Sequence, residues 1–262
     1  MEKFSFRPKP KSEAPEKEHK LSFPPSLEGI QVEKSLGGSS GVMLGRYEDN
    51  VFAIKRARRS ETDPKKNAWY KEQLKEEYVA DKVYEAMGFA VPSSRMYKEG
   101  SAKVSSFVRG KDLNSLDREN RMSTSEELRR GFVLDALLAN WDVIGLVEDN
   151  IRQGEDGRVY RLDNGGSFRF RAMGEPKGAH FGPEVGELES LRAHNKLYAD
   201  VSQREIAEQI DTIIKNRDKI IQTIERSGEE AAMSPESTQE LVDLVSKRIG
   251  YLEQTLEKFH KP

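Results

Sequence analysis

Three polar residues in the middle of the chain follow directly on apolar segments, at positions where they could do chemistry. Asp142 comes after "LDALLANW", Asn150 after "VIGLVED", and Asp163 after "RVYRL". A hard cation such as Mg²⁺ is bound by oxygen atoms, and Asp and Asn side chains supply them. Asn150 and Asp163 lie at the two ends of one predicted hairpin, so they can converge on one metal ion. Asp142 could accept the proton of a substrate hydroxyl group.

Each of these residues also has a purely structural interpretation. Asp142 could cap a helix, Asn150 could be a turn residue, and "DNGG" at 163–166 could form a tight turn. Taken singly, these alternatives are common in proteins. Taken together and in this order, the three residues favour a site for a metal-bound nucleotide.

A glycine-rich segment lies upstream of these residues. Gly37, Gly38, Ser39, Ser40 and Gly41 stand between two predicted strands. Glycines at such a place let backbone N–H groups approach phosphate oxygens. The spacing differs from G-x-G-x-x-G, and a plain hairpin turn is the alternative. We treat the five residues as candidate nucleotide-binding positions.

A lysine ends the next apolar strand. Lys55 closes "VFAIK", and its stem could stay in the protein while its ammonium group reaches a cleft. It could then bridge two phosphate groups, with Glu77 of the following helix as its carboxylate partner. The alternative is a lysine on a surface strand and one of many glutamates on a helix surface.

The composition excludes several classes of protein. The chain has 262 residues, which suffice for one sizeable domain or two small lobes. Its net charge of −2 gives no support to general nucleic-acid binding. The chain contains no cysteine, so disulfides and thiolate zinc sites are excluded. No apolar run approaches the about 18 residues of a membrane span, and the N-terminus lacks the apolar core of a signal peptide.

Two segments are expected in the first part of the chain. Residues 1–24 are rich in Pro, Lys, Glu and Ser and predict a disordered tail. Residues 25–112 predict a small β-rich lobe in the order β-β-α-β-β, with strands within "IQVEKSLGG", "VMLGRYEDN" and "VFAIKRA". The helix spans 66–88, closes at Gly88 and precedes two short strands.

Residues 113–262 predict a mostly helical lobe. A helix is expected to begin with Ser125 as its N-cap, and a hairpin follows between Asn150 and Leu162. Residues 172–200 are expected to be irregular.

The last part of the chain predicts two helices. "SQRE" at 202–205 has the pattern of a capping box and opens a helix that ends at Gly228. Ser234 and Pro235 start the final helix.

These features resemble the protein-kinase-like superfamily. The matching stretches are "FAIK", "EEYVADKVYEAMG", "VSSFVRG", "LDALLANWD" and "RLDNGGSF", and they cover roughly residues 28–170. The resemblance is nearest to atypical members, namely HipA-type bacterial serine kinases, actin-fragmin-type kinases and phosphatidylinositol 3-/4-kinases. It implies an α+β, bilobal fold with a small β-rich N-lobe, which carries one helix, and a mostly helical C-lobe.

The resemblance also implies ATP and Mg²⁺ as cofactors and gives the candidate residues roles. Lys55 would bind ATP phosphates and pair with Glu77. Asp142 would be the catalytic aspartate, and Asn150 and Asp163 would be the metal ligands.

The resemblance further implies that Phe107 and Val108, in "VSSFVRG", form the hinge against adenine. The chain departs from the usual protein-kinase pattern where "H-R-D" reads Asn140-Trp141-Asp142. That departure bears on which carboxylate acts as the base and on whether substrates are peptides.

We therefore expect an ATP-dependent kinase, in first place a protein serine/threonine kinase that acts on a partner or host protein. The alternatives are a kinase-fold adenylyl transferase and a pseudokinase that serves as a nucleotide-binding scaffold. The short chain and polar N-terminal segment suit a bacterial effector. We expect a monomer in the cytoplasm or secreted into a host cytosol, with no nucleic-acid partner and no membrane span.

Overall fold

An antiparallel five-stranded sheet forms the first part of the molecule. The computed structural model describes residues 21–37 and 41–259, so the predictions for 1–20 and 38–40 lie outside the described residues. The strands lie in the order β1-β2-β3-β5-β4. Their bounds are β1 Gln31–Gly37, β2 Val42–Tyr47, β3 Asn50–Arg56, β4 Ser94–Tyr97 and β5 Ala102–Ser106.

Three strands precede the first helix, one in each of the three stretches predicted to contain strands. The predicted order β-β-α-β-β, which has two strands before the helix, is therefore wrong by one strand. The segment before the Gly/Ser turn forms the full seven-residue strand β1, which pairs with β2 along its length. Helix α1, Pro64–Ala86, begins close to the predicted start. Asp63 caps it by accepting hydrogen bonds from two backbone N–H groups. Gly88 follows with a φ of +89°, as a residue after a helix end often does.

A second, three-stranded sheet carries the predicted hairpin. Strands β7, Ile151–Gly154, and β8, Val159–Arg161, pair antiparallel, and β6, Gly110–Asp112, adds to the edge of β7. The predicted lobe boundary at 112/113 therefore falls just after a strand that pairs with the second half of the chain.

Helices make up most of the rest. Their bounds are α2 Arg118–Arg129, α3 Phe132–Leu137, α4 Glu187–His194, α5 Gln203–Lys215, α6 Arg217–Glu230 and α7 Pro235–Phe259. The predicted capping box is present, since the side chains of Ser202 and Glu205 each bond the other's backbone N–H.

Two helix boundaries differ from the prediction. The helix expected to start at Ser125 is capped by Asp117 instead, and Ser125 lies inside α2. The helix expected to run to Gly228 breaks at Asn216, whose side chain donates to a carbonyl of the preceding turn. Gly228 lies inside α6, which ends at Glu230. Thr238 of α7 packs closely against Gly228, where a Cβ atom would lie 2.8 Å from the Thr238 hydroxyl oxygen.

Part of the segment predicted to be irregular is the helix α4. It lies within 172–200 and is held by a tertiary contact, because Glu187 at its first turn accepts from buried Arg248 at 2.7 Å. Such a contact leaves no trace in the local pattern.

The main hydrophobic core joins α1 to the helical part. Residues of α1 between Tyr78 and Tyr84 pack with α3, in which every residue is buried, and with α5, α6 and α7. A smaller cluster, which includes Phe52 and Val104, lies on the other face of the first sheet. The large core fixes α1, and hence Glu77, relative to the loops of the helical part.

Within the described part of the chain, no helix is both long enough and apolar enough to cross a membrane.

Candidate active site

The structure brings Lys55, Glu77 and Asp163 together from three distant parts of the chain. The Lys55 Nζ lies 2.7 Å from Glu77 Oε2 and 2.9 Å from Asp163 Oδ2. Strand β3 presents the lysine, the second half of α1 presents the glutamate, and the loop after β8 presents the aspartate. The Glu77 side chain is 2% exposed and that of Asp163 is 37% exposed, so the ammonium links a buried carboxylate to one that faces solvent.

A second lysine shares Glu77. Lys103 is the cross-strand partner of Lys55 in the β3–β5 pair, so both side chains leave the same face of the sheet. Two like charges placed opposite each other repel. Here Glu77 lies between them, with Oε2 on Lys55 and Oε1 at 2.5 Å from the Lys103 Nζ. Both oxygens of Glu77 are thus fixed by cations.

A chain of buried hydrogen bonds continues from Lys103 to the loop before Asp142. Lys103 also donates to Asp81 at 2.7 Å, one helical turn after Glu77 on α1. Asn164, next to Asp163, donates to the other oxygen of Asp81 at 2.8 Å. Asn140 donates to Asn164 at 3.2 Å. The network therefore fixes the positions of α1, the loop of Asp163 and the loop of Asp142 relative to one another.

Asp142 and Asn150 form the second part of the site. The Asn150 Nδ2 donates to the Asp142 carbonyl at 2.7 Å and approaches its carboxylate at 3.4 Å. The N–H of Leu162 donates to the carbonyl of Asn150 at 2.8 Å, so Asn150 and Asp163 lie at the two ends of the hairpin, as predicted. The amide nitrogen of Asn150 is used internally, and its oxygen is the atom left to face a cation.

The charges in the site perturb one another. Burial acts to raise the pKa of Asp163, but the charge and hydrogen bond of Lys55 and the N–H of Gly165 lower that pKa to about 2. Burial acts to lower the pKa of Lys55, but Asp163 and Glu77 raise it above its usual value. Lys55 and Asp163 are therefore both charged near neutral pH.

The Asp142 carboxylate is more basic than an ordinary aspartate. Burial and then the negative charge of Asp163 raise its pKa above the usual value, while the hydrogen bond from Asn150 opposes them. A raised pKa makes a carboxylate a better proton acceptor near neutral pH.

The donor set fits a divalent cation held jointly by protein and phosphate. No group of three or more His, Cys, Asp or Glu among the described residues is arranged to hold a metal ion on its own. Mg²⁺ is usually bound through one or two carboxylate or amide oxygens, with phosphate and water completing its shell. Asp163 and Asn150 offer that pair. A Cβ at Gly165 would lie 3.0 Å from oxygens of both Asp163 and Glu77, so the glycine leaves room for these two carboxylates.

Two of the predicted nucleotide-binding glycines and both hinge candidates lie among the described residues. Gly37 and Gly41, on either side of residues 38–40, have φ values of +79° and +61°, which favour glycine. Gly38, Ser39 and Ser40 lie outside the described residues. The N–H of Phe107 donates to the carbonyl of Val51 at 2.9 Å.

The other hinge candidate is also engaged with protein. The carbonyl of Val108 accepts from Arg152 at 3.0 Å. The assignment of Phe107 and Val108 to an adenine contact stays a prediction.

Sequence reasoning missed Lys103, Asp81 and Asn164. A signal was present, because Glu77 and Asp81 are four residues apart on a helix whose neighbouring positions are buried. Two carboxylates on a buried helix face require cations, and "SAKVSS" contains a lysine in a strand.

Comparisons with known proteins support the fold. No protein-family model matches the chain, and no curated protein matches it by sequence. Among solved structures, the chain is similar to the Helicobacter pylori proinflammatory kinase CtkA, with a TM-score of 0.57 and 13% sequence identity. The similarity covers 88% of this chain and 98% of that chain.

The similarity spans both parts of the molecule, the five-stranded sheet with α1 and the helical remainder. At this identity it speaks to the fold alone. The expected fold class is thereby confirmed, and the resemblance to a particular group of atypical kinases stays a prediction. The chain has an α+β, bilobal kinase-like fold.

Proposed function

We propose that this protein is an ATP- and Mg²⁺-dependent phosphotransferase, and in first place a protein serine/threonine kinase. One observation carries the proposal: a single ammonium group, Lys55 Nζ, bridges a buried carboxylate on α1 and a half-exposed carboxylate after β8. A lysine on the protein surface is not expected to contact two carboxylates from distant parts of the chain. Such contacts are expected of a lysine that binds phosphate groups beside a metal ion, because one carboxylate fixes the lysine and the other binds the metal.

The residues take these roles. Lys55, fixed by Glu77, binds phosphate oxygens of ATP. Asp163 and Asn150 hold Mg²⁺, which when bound neutralises the charge that develops on the transferred group. Asp142 orients the acceptor hydroxyl and takes its proton as the oxygen bonds to the γ-phosphorus and ADP leaves.

The surroundings of Asp142 support a polypeptide as acceptor. A cavity of about 590 Å³ opens beside Asp142, between the loop 141–148 and the end of α4. The side chains of Leu146 and Val147 on that loop are exposed. An open, partly apolar surface next to the base suits a protein segment better than a small polar metabolite.

The proposal extends to the biological setting. The fold similarity to a kinase named as proinflammatory is compatible with a bacterial effector that phosphorylates a host protein. In this proposal the protein is a monomer that acts in the cytoplasm or after secretion into a host cytosol.

Isotope position in ATP provides the test. The purified protein is incubated with Mg²⁺ and a heat-inactivated cell lysate, in which endogenous kinases no longer act, once with γ-³²P-ATP and once with α-³²P-ATP, beside Asp163→Ala. We expect protein-bound label from γ-³²P-ATP only, and none with the variant. The expected label sits on serine or threonine.

The other outcomes separate the alternatives. Label from α-³²P-ATP would contradict phosphoryl transfer and assign adenylyl transfer. No label from either, with ATP still raising the melting temperature, would assign a nucleotide-binding scaffold. Equal label with the wild type and Asp163→Ala would show that a contaminating enzyme is responsible.

A further inference from the structure

A buried lysine lies in the loop that follows Asp163. Lys177 is only 2% exposed. Its ammonium group donates three hydrogen bonds, to the backbone carbonyls of Ala139 at 2.6 Å, Gly166 at 2.7 Å and Phe168 at 2.8 Å. A lysine has three N–H donors, so every donor is used by the backbone and none by a carboxylate.

The three carbonyls belong to the two loops that carry the proposed chemistry. Ala139 precedes Asp142 by three residues, and Gly166 follows Asp163 by three residues. The ammonium of Lys177 therefore spans from the loop of the base to the loop of the metal ligand. The N–H of Trp141 also reaches the carbonyl of Gly166, at 3.4 Å.

Two of the accepting residues have an uncommon backbone conformation. Ala139 has a φ of +49° and Phe168 a φ of +53°. Residues other than glycine are held in this region only where their surroundings determine it. The N–H of Phe168 donates to the carbonyl of Leu138 at 2.6 Å, so the turn at Phe168 contacts the turn at Ala139. Lys177 donates to a carbonyl in each of these two turns.

Lys177 itself is held in place. Its N–H donates to the carbonyl of Arg169 at 2.7 Å, which folds the segment between them back on itself. The Trp141 ring covers the ammonium, 4.8 Å from Nζ to the ring centroid. Burial lowers the pKa of Lys177 to about 7, while the carboxylates of Glu76 and Glu187 act to raise it. The three carbonyls require three N–H donors, so the geometry is that of the protonated side chain.

We propose that Lys177 is a positioning residue of the phosphotransfer site: its ammonium group ties the loop of Asp142 to the loop of Asp163 and so sets the placement of the base relative to the metal ligand. The inference rests on the proposed function for its catalytic consequence, and on the three hydrogen bonds for the tie itself. Asp142 and Asp163 repel each other, and no direct bond between their side chains sets their separation.

Residues 168–189 contain no Ser, Thr or Tyr, so the tie made by Lys177 does not depend on a phosphorylated hydroxyl group in this segment.

The first arm of the test is steady-state turnover of Mg²⁺–ATP by Lys177→Met, beside wild type. Lys177→Met keeps the length of the side chain and removes all three donors. Because small misplacements of catalytic groups are costly, we expect kcat to fall by about 100-fold while KM for ATP stays within about threefold. Lys219→Met, at an exposed position of α6, is the matched control and should turn over as the wild type does.

The second arm restores the cation. The chain contains no cysteine, so Lys177→Cys is the one thiol and can be aminoethylated in denaturant before refolding, which regenerates an ammonium at nearly the lysine length. We expect the aminoethylated protein to recover most of the lost kcat, and the unmodified thiol form to recover none. Wild type carried through the same treatment is the reference. If Lys177→Met does not fold, Lys177→Gln replaces it under the same thresholds.

The third arm does not depend on activity. Hydrogen exchange of the amides of Trp141 and Phe168, which bond across the two loops, should speed up in Lys177→Met and not in Lys219→Met. Unchanged exchange would overturn the tie. If the wild type turns over ATP and the kcat of Lys177→Met lies within about threefold of the wild-type kcat, the positioning role is overturned. Absence of turnover in the wild type would count against the proposed function, and exchange would then decide the tie by itself.

Discussion

Removing the buried cation at Lys103 should destabilise the fold strongly. The side chains of Lys103, Glu77 and Asp81 are 4%, 2% and 3% exposed, and the two ion-pair distances are 2.5 and 2.7 Å. Lys103→Met leaves Asp81 buried with no cation and Glu77 with Lys55 alone. Breaking a buried pair by removing one partner costs about 3–5 kcal/mol. For a chain of this length, the midpoint of thermal unfolding should fall by about 6–20 °C.

The cause of that loss can be separated from lost packing. If unpaired charge is responsible, adding Asp81→Asn to Lys103→Met should recover part of the stability, because Asn removes one buried charge and still bonds Asn164. Lys34→Met, on exposed strand β1 of the same sheet, is the control and should change the free energy of unfolding by less than about 0.5 kcal/mol.

The pH dependence gives a second check on the same variant. Burial raises the pKa of Asp81, and Lys103 opposes that rise, so removing Lys103 raises the pKa further. A carboxyl group whose pKa is higher in the folded than in the unfolded state destabilises the fold most above that pKa. The deficit of Lys103→Met should therefore shrink between neutral pH and about pH 5.

Urea unfolding followed by circular dichroism measures both effects. A loss below about 1 kcal/mol for Lys103→Met would refute the reasoning, since it lies in the range of exposed ion pairs. So would a deficit that grows on acidification, or one that Asp81→Asn enlarges.

Three further predictions concern stability alone and share that assay. Arg248→Met should cost about 3–5 kcal/mol, because the fully buried guanidinium bonds four backbone carbonyls and one carboxylate; a loss under about 1 kcal/mol would contradict this. Gly100→Ala should destabilise by about 1–3 kcal/mol, because φ is +83° and a Cβ would meet a backbone carbonyl, whereas Gly250→Ala, in open space on α7, should stabilise by about 0.5–1 kcal/mol. The two glycines should not change stability in the same direction. Arg121→Met breaks a two-pronged contact with Glu148, but the side chains are 42% and 30% exposed, so the loss should stay below about 1 kcal/mol.

Local patterns were sufficient for much of the site's framework. The hairpin that carries Asn150 and Asp163 at its ends follows from alternation around a Gly-containing turn. The pairing of Lys55 with Glu77 was one of two interpretations that the sequence left open, because a surface lysine and a glutamate on a helix surface show the same local pattern. These are short-range signals, and the structure places the four residues as expected, although their roles remain proposals.

Other parts depend on contacts that the sequence does not display. Helix α4 is held by a bond from α7, and the start of α2 depends on a cap at Asp117 that competes with Ser125. Lys103 and Lys177 look like surface lysines, because lysines are mostly exposed. Their burial becomes apparent only when the carboxylates and carbonyls that receive them are in place.

The most direct measurement of the proposed site is the affinity for ATP with and without Mg²⁺, by titration calorimetry. The wild type should bind ATP more tightly with Mg²⁺. Asp163→Asn should lose that gain without weakening the metal-free affinity, because it removes a negative charge beside the phosphate-binding ammonium. Lys55→Met should weaken binding under both conditions. If Mg²⁺ strengthens ATP binding equally in the wild type and Asp163→Asn, Asp163 does not hold the metal ion and the proposed phosphotransfer site is wrong.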